Sequence, residues 1–202
     1  CGSFNSSICK SAPNFFKKIL SENKDLKIIT IGSKGYDQLK REYGKFIIQK
    51  ISYKDKKNIS FKEADEVSKI IIDLFNDNKF DKCHIFFNNF KNVITQVPQN
   101  LQIIPTHQIS NKEENKDSDP YEFEPEEKDI LEDLLPKNIA TQVYTAFLEN
   151  AASEQGSRMT AMDNATRNAG DLVDKLTINY NRSRQAAITK ELIEIISGAE
   201  SL

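Results

Sequence analysis

Hydrophobic and polar positions alternate in short blocks over the first hundred residues. The apolar runs are rich in β-branched and aromatic side chains, which is typical of strands that are at least partly buried. The first run ends at Gly32, and the last two are joined by a Lys91–Asn92 turn. The pattern predicts strands at 26–32 (LKIITIG), 46–53 (FIIQKISY), 82–90 (KCHIFFNNF) and 93–98 (VITQVP).

An amphipathic helix is predicted between the second and third strands, over residues 60–80. Ser60 is a suitable N-cap, and Glu63 stands at the capping-box position three residues later. Apolar residues recur at steps of three and four, as one face of a helix requires: Ala64, Val67, Ile71 and Leu74 or Phe75. Strand–helix–strand order predicts a small Rossmann-like α/β layer with partly parallel strands.

The domain division is predicted from a change in composition. Residues 106–120 (THQISNKEENKDSDP) are polar and charged without periodicity, as in a surface linker. They separate an α/β domain at 1–105 from a lead-in and long helix at 121–202. From Glu126 onward the pattern is almost wholly helical. Pro136 suits a first helical turn, and Gly198 is a suitable C-terminal stop. A helix from Pro136 to Ser197 would be roughly 90 Å long.

A thin apolar seam runs along this helix with the 3.5-residue period of a left-handed coiled coil. Large side chains are scarce between 152 and 170, where only Met159 and Met162 could anchor a core. The seam predicts a partner helix: a second copy, another protein or a missing N-terminal part. The alternative is a bent helix lying over its own α/β layer. The seam positions are 148, 152, 155, 159, 162, 166, 169, 173, 176, 180, 183 and 187.

Charge is unevenly distributed, although the net charge is only −2. Residues 1–125 carry 20 basic and 17 acidic side chains, whereas residues 126–202 carry 8 and 13. Four cations and no acid lie between Lys175 and Lys190, while eleven acids lie between Glu113 and Asp133. Opposed blocks on one helical segment suggest different partners at different heights.

Signals for catalysis or ligand binding are weak. Cys1, Cys9 and Cys83 form no metal-ligand spacing and are interpreted as bystander thiols. His84, within a strand pattern, is expected to be packed and hydrogen-bonded, and His107 lies in the linker. The segment GSKG (32–35) lacks the phosphate-loop frame. Neither a cofactor, a metal nor a nucleic-acid partner is expected, and no apolar run approaches the ~18 residues of a membrane span.

The C-terminal segment carries a specific family resemblance. Residues 149–202, ENAASEQGSRMTAMDNATRNAGDLVDKLTINYNRSRQAAITKELIEIISGAESL, resemble the C-terminal helix of gamma subunits of F-type ATP synthases. The opening CGSFNSSI and the lead-in YEFEPEEKDILEDLLP are similar to segments of the same family. The resemblance implies that the family's N-terminal helix and first strand are absent, so the sequence is interpreted as a fragment or processed product.

The resemblance also implies a function. In the family, the N- and C-terminal helices form an antiparallel coiled coil inside a ring of three alpha and three beta subunits. The α/β layer sits on the membrane-embedded c-ring, near the epsilon subunit. Proton flow turns this non-catalytic rotor, which drives the beta subunits through ATP synthesis. The expected location is peripheral, on the cytoplasmic face of a bacterial inner membrane rather than a mitochondrial one, with membrane contact only through the c-ring.

Individual positions follow from the resemblance. Contacts that transmit torque to beta are implied at Arg184, Gln185, Thr189 and Glu191, and coupling positions at Glu154 and Arg158 as an i,i+4 pair. Contacts with the c-ring are implied at Tyr121, Phe123 and Glu124. The apolar end LIEII (192–196) would fit a bearing at the top of the ring. A solvated helix face is the alternative interpretation of the torque and coupling positions.

Two other function classes compete with the rotor. A free-standing coiled-coil adaptor would dimerise through the seam and form a stable 2:2 or 2:1 assembly. A small nucleotide-binding enzyme would use the α/β layer and bind ATP or ADP at micromolar concentration.

Overall fold

Runs rich in β-branched and aromatic residues form the strands of the computed structural model. The structure describes residues 2, 4–53, 56, 59–106, 124 and 126–200. Two compact units are present, Cys1–Arg158 and Met159–Leu202. The elements are α1 (Phe4–Ser21), β1 (Ile28–Ile31), α2 (Ser33–Tyr43), a 3₁₀ turn (Gly44–Phe46), β2 (Ile47–Ile51), α3 (Phe61–Asn76), β3 (Cys83–Phe90), β4 (Gln96–Ile104) and α4 (Glu127–Glu200).

The strands of the first unit form two pairs. β1 and β2 are parallel and are connected through α2, so the predicted partly parallel arrangement is confirmed. β3 and β4 are antiparallel, with Phe90 opposite Gln96 at the turn. The turn differs from the prediction, because Asn92 Oδ1 accepts hydrogen bonds from the N–H groups of Ile94 (3.0 Å) and Thr95 (2.7 Å). This side-chain turn occupies residues 93–95, so β4 begins only at Gln96.

Two hydrophobic clusters cover opposite faces of the strands. Neighbouring side chains of a strand point to opposite faces, and accordingly Ile85 joins one cluster and Phe86 the other. The first cluster brings together α3, β4 and the start of α4: Ala64, Val67, Ile71, Ile103, Ile104, Ile139 and Val143. The second brings together α1, β1 and α2: Ala12, Phe16, Ile28 and Tyr43.

The capping box predicted for α3 is present. The backbone N–H of Ser60 donates to Glu63 Oε2 at 2.7 Å, and the Ser60 hydroxyl donates to the same oxygen. The ammonium of Lys56 binds the other carboxylate oxygen of Glu63. Glu63 is itself buried. These donors, Lys56 first, lower the pKa of the Glu63 carboxyl from 4.5 to about 2.

The ionised Glu63 is expected to stabilise the first unit in a pH-dependent way. Because the pKa of Glu63 is lower in the folded chain than in the unfolded chain, its contribution is complete above about pH 4.5. The contribution is lost as the pH falls through about 2. The free energy of unfolding in urea is measured for the wild type and for Glu63→Gln at several pH values between these limits. The contribution of Glu63 is the difference between the two slopes of unfolding free energy against pH. Glu132→Gln, at an exposed position of α4, serves as the control and should keep the wild-type slope.

The long helix differs from the prediction at both ends. α4 begins at Glu127 and contains Pro136 within it, because six of the nine residues 127–135 are the strong helix formers Glu, Lys and Leu. At the other end the helix continues past Gly198 to Glu200, so the predicted stop is wrong. The predicted linker remains a prediction, since residues 107–120 lie outside those described.

α4 buries one face in the first unit and exposes its opposite face. Side chains at 139, 143, 146 and 153 are buried, and their steps of four, three and seven residues follow one side of a helix. The predicted seam at 148, 152 and 155 lies about 200° around the helix axis from this buried face. All three of these seam residues are exposed. The docked face of α4 and its seam are therefore separate surfaces.

The second unit exposes the rest of the seam. Every residue from 162 to 199 is exposed. The large apolar side chains of the seam are more than half exposed: Met159 (65%), Met162 (62%), Val173 (59%), Leu176 (57%) and Tyr180 (66%). No helix among the described ranges is long and apolar enough to cross a membrane.

Candidate functional site

The predicted coupling positions form an ion pair on α4. Arg158 Nη2 lies 2.5 Å from Glu154 Oε1, and Arg158 Nη1 donates to Gln155 Oε1 at 2.8 Å. The predicted i,i+4 geometry of the pair is thus confirmed. Both side chains are nearly half exposed (46% and 42%), so the pair contributes only about 0.3–0.5 kcal/mol to stability. Its main effect is to orient two opposite charges on one side of the helix.

The predicted torque positions lie on two stripes of α4 in the second unit, about 130° apart around the helix axis. Helical spacing places Gln185 beside Thr189 and Arg184 beside Glu191. All four residues are exposed. The Thr189 hydroxyl donates to the backbone oxygen of Gln185 at 2.8 Å, a bond that does not involve the Gln185 side-chain amide. Arg184 and Gln185 are both exposed, so their side chains can reach an external acceptor.

The apolar C-terminal end of α4 is also exposed. Leu192, Ile193, Ile195 and Ile196 are 53–67% exposed. A helix with this many open aliphatic side chains offers contact area but little directional bonding.

The predicted c-ring positions are described only in part. Glu124 is exposed. Tyr121 and Phe123 lie outside the described residues, as do the linker residue His107 and Cys1. Their roles remain predictions.

The described histidine and cysteine side chains are all partly buried. His84 Nδ1 is 3.0 Å from Asn100 Oδ1, and its ring packs against Phe15 at 4.7 Å, which confirms the prediction of a packed, hydrogen-bonded histidine. Burial raises the pKa of the Cys83 thiol to about 11, so this thiol is a poor nucleophile at neutral pH. Burial also raises the pKa of Cys9. Across the described residues, no group of three or more His, Cys, Asp or Glu side chains could hold a metal ion.

The GSKG segment forms a turn from β1 into α2. Gly32 has φ 103°, a conformation that favours glycine, and its N–H donates to the Ile51 carbonyl at 2.8 Å. This bond joins the ends of the two parallel strands. The turn conformation therefore accounts for glycine at position 32 without a bound phosphate.

A polar junction between α4 and β3 was not predicted. Asn88 of β3 is 1% exposed, and its backbone N–H and C=O both bind α4, through Asn150 Oδ1 (3.4 Å) and the Ser153 hydroxyl (3.0 Å). The N–H of Phe90 donates to Glu149 Oε2 at 2.8 Å. The sequence carried one signal of this junction. Polar residues at 149, 150 and 153 continue the face of α4 that is apolar at 139, 143 and 146. The α4 side chains of Glu149, Asn150 and Ser153 and the β3 backbone of residues 88–90 are together called the edge clamp.

Comparison with known proteins covers the whole chain. A family model described as ATP synthase matches residues 1–202. The ATP synthase gamma chain of Pelagibacter ubique is 65% identical over 202 residues, which are 100% of this chain and 69% of that protein. The ATP synthase gamma chain of Rhizobium rhizogenes is 52% identical over 204 residues, with the same coverage.

Solved structures agree with these relatives in fold. The central stalk and c-ring structure of the Tetrahymena thermophila mitochondrial ATP synthase contains a chain with a TM-score of 0.61 and 25% identity, covering 82% of this chain and 70% of that one. A chain of the Euglena gracilis mitochondrial ATP synthase has a TM-score of 0.65 and 22% identity, covering 100% and 68%. The second likeness is one of fold alone.

Proposed function

This chain belongs to the family of ATP synthase gamma chains, and from that premise we propose which of its surfaces carry rotation between the membrane ring and the catalytic subunits. A gamma chain is a non-catalytic subunit of the H⁺-transporting ATP synthase and part of the rotor in its central stalk. It couples rotation of the c-ring to conformational cycling of the three catalytic beta subunits.

The exposed seam of α4 carries the proposal. A heptad seam with Val173, Leu176 and Tyr180 more than half exposed requires a second helix, because open apolar area of this kind is unfavourable in water. We infer that the partner is the family's N-terminal helix, packed antiparallel. The small residues of the seam, such as Ala152 and Ala169, suit close helix approach.

The outer surface of the coiled coil is proposed to face the alpha and beta subunits. Between 162 and 171 this surface is small and polar, which favours rotation because no deep apolar contact holds one orientation. Specific contacts are then needed only where torque passes. We assign these to Arg184, Gln185, Thr189 and Glu191, with the Glu154–Arg158 pair as a second coupling position.

The remaining partners follow the same reasoning. The first unit is proposed to contact the c-ring through Tyr121, Phe123 and Glu124, and to bind the epsilon subunit. Because the relatives at 65% and 52% identity are bacterial, we place the complex on the cytoplasmic face of a bacterial inner membrane.

Reconstitution tests the rotor assignment. The full-length chain, including the N-terminal helix, is mixed with alpha and beta subunits of a related enzyme, and particle size and ATPase activity are followed. A single copy that co-elutes with a 3:3 ring and stimulates hydrolysis is the expected result. Elution as a self-dimer that ignores the ring would instead indicate the coiled-coil adaptor, and micromolar ATP binding to the isolated chain would indicate a nucleotide-binding protein.

The double substitution Arg184→Ala and Gln185→Ala is expected to reduce coupled ATP synthesis far more than assembly. A charge-assisted hydrogen bond of about 1.5–3 kcal/mol corresponds to roughly a tenfold or larger change in the step that it assists. The measurement is proton-driven ATP synthesis in vesicles, normalised to assembled complex. Arg167→Ala with Asn168→Ala, a similar exposed pair on α4, is the control and should retain synthesis. Unchanged synthesis in the first variant would remove the torque assignment but not the rotor.

A further inference from the structure

We propose that the edge clamp is the torsional anchor of the rotor, a set of hydrogen bonds that fixes the rotational setting of α4 against the α/β unit. This inference rests on the proposed rotor function. It concerns three side chains of α4, namely Glu149, Asn150 and Ser153, and the backbone of β3 that they bind.

The clamp binds backbone groups of β3 that face away from β4. Asn88 stands opposite Pro98 of β4. Alternate residues of an antiparallel pair turn their N–H and C=O groups away from the partner strand, and α4 binds both groups of Asn88. Phe90, two residues further along, likewise donates its N–H to Glu149.

Two further attachments hold the same region. The Ser157 hydroxyl donates to Gln96 Oε1 at 2.8 Å, and the Gln96 amide donates to the Val93 carbonyl at 2.7 Å, so the β3–β4 turn is tied to α4 as well. The Asn88 side chain donates to the Phe4 carbonyl at 3.2 Å, which links the start of α1 to the clamp. Thus α1, β3, β4 and α4 are joined through a few polar groups.

Directionality is what makes these bonds suited to torque. Apolar contacts such as those of Val143 have no preferred bond angle, so they oppose small rotations only through steric packing. Hydrogen bonds weaken steeply when their angle or length changes. Turning α4 about its axis would carry Glu149, Asn150 and Ser153 away from a backbone that cannot follow them. Under load, the clamp therefore resists twist that the apolar face alone would allow.

A purely stabilising role makes a different prediction. Hydrogen bonds between two elements also stabilise the fold. If that were its whole purpose, loosening the clamp would lower the melting temperature of the protein without changing the stiffness of the assembled rotor.

The test is the torsional stiffness of the assembled complex, built with the full-length chain. The catalytic ring is fixed to a surface, a bead is attached to the α/β unit, and the thermal angular fluctuation of the bead is recorded during a catalytic pause. In Glu149→Ala with Ser153→Ala, the variance of the angle is expected to rise by roughly twofold or more, because two of the four bonds from α4 to the strand pair are lost. Glu149→Gln with Ser153→Thr keeps an acceptor and a hydroxyl and should restore the wild-type variance.

Controls separate the possible failures. Glu132→Ala with Thr145→Ala removes the same groups from the exposed side of α4, where the Thr145 hydroxyl binds only the Thr141 carbonyl of its own helix, and should leave the variance unchanged. If the wild-type complex shows no ATP-driven rotation, the rotor function itself fails. If the wild type rotates and the clamp variant has wild-type variance, the anchor is overturned. Should the double variant not assemble, Ser153→Ala compared with Ser153→Thr decides by the same criterion.

Discussion

Replacing Val143 with aspartate is expected to unfold most of the first unit. Val143 is fully buried and lies in the cluster that joins α3 and β4 to α4. Its two methyl groups would be replaced by a carboxylate with no water and no basic partner in that cluster. Burial of an uncompensated charge costs about 4 kcal/mol or more, a large part of the roughly 5–15 kcal/mol that stabilises a domain.

The same exchange at Val173 provides the matched control. Val173 lies on the same helix but is 59% exposed, so Val173→Asp should change the unfolding free energy of this chain by no more than about 0.5 kcal/mol. Urea unfolding followed by circular dichroism compares the two variants. Equal effects would contradict the docking of α4 through Val143. The assembled complex should respond differently to Val173→Asp. Val173 would there face the partner helix, so this substitution should weaken assembly.

The second large effect is expected at Gly156, where α4 passes closest to the β3–β4 turn. A Cβ atom at this position would lie 3.1 Å from Phe90 Cε2, 3.3 Å from Gln96 Nε2 and 3.4 Å from the Val93 carbonyl. Gly156→Val adds two further methyl groups in this space. The helix must then move away from the turn, at a cost of about 1–3 kcal/mol from overpacking and from the loss of the Ser157–Gln96 bond.

Gly170→Val should have the opposite sign. Apart from the adjoining backbone of α4 itself, no heavy atom lies within 4 Å of a Cβ placed at Gly170. Valine has a slightly higher helix propensity than glycine, so this variant should be more stable to unfolding by about 0.3–0.5 kcal/mol. Thermal unfolding of both variants measures the difference. Destabilisation of similar size at both glycines would show that chain flexibility, not the close contact, decides the result at 156.

Much of the α/β layer was predictable because its signals are local. β1, β2 and β3 are β-branched or aromatic runs, and α3 begins at a capping box that the sequence displays directly. α1 and α2 were missed for a physical reason. α1 contains Pro13 and several poor helix formers, which obscure its apolar face. α2 is an 11-residue, mostly polar helix whose apolar face is limited to Tyr36, Leu39 and Tyr43.

The torque and coupling positions could be proposed only from the family resemblance, since exposed polar side chains on a helix carry no pattern of their own. The edge clamp was beyond both approaches. Its bonds join residues 59–65 positions apart in the sequence and bind backbone groups, which every residue possesses. Only the three-dimensional pairing of β3 with β4 shows which backbone groups of β3 face away from β4 and can bind α4.

The open seam of the second unit has a thermodynamic consequence. A helix whose apolar side chains are 57–67% exposed between Val173 and Tyr180 gains most of its stability from whatever covers them. That gain obeys mass action, so the folded fraction of this segment rises with the concentration and affinity of its covering helix. When the covering helix belongs to the same polypeptide, its effective concentration is fixed by the connecting chain and no longer depends on dilution. The stiffness of this helix at low protein concentration is therefore set by the covalent connection to its covering helix as well as by side-chain packing.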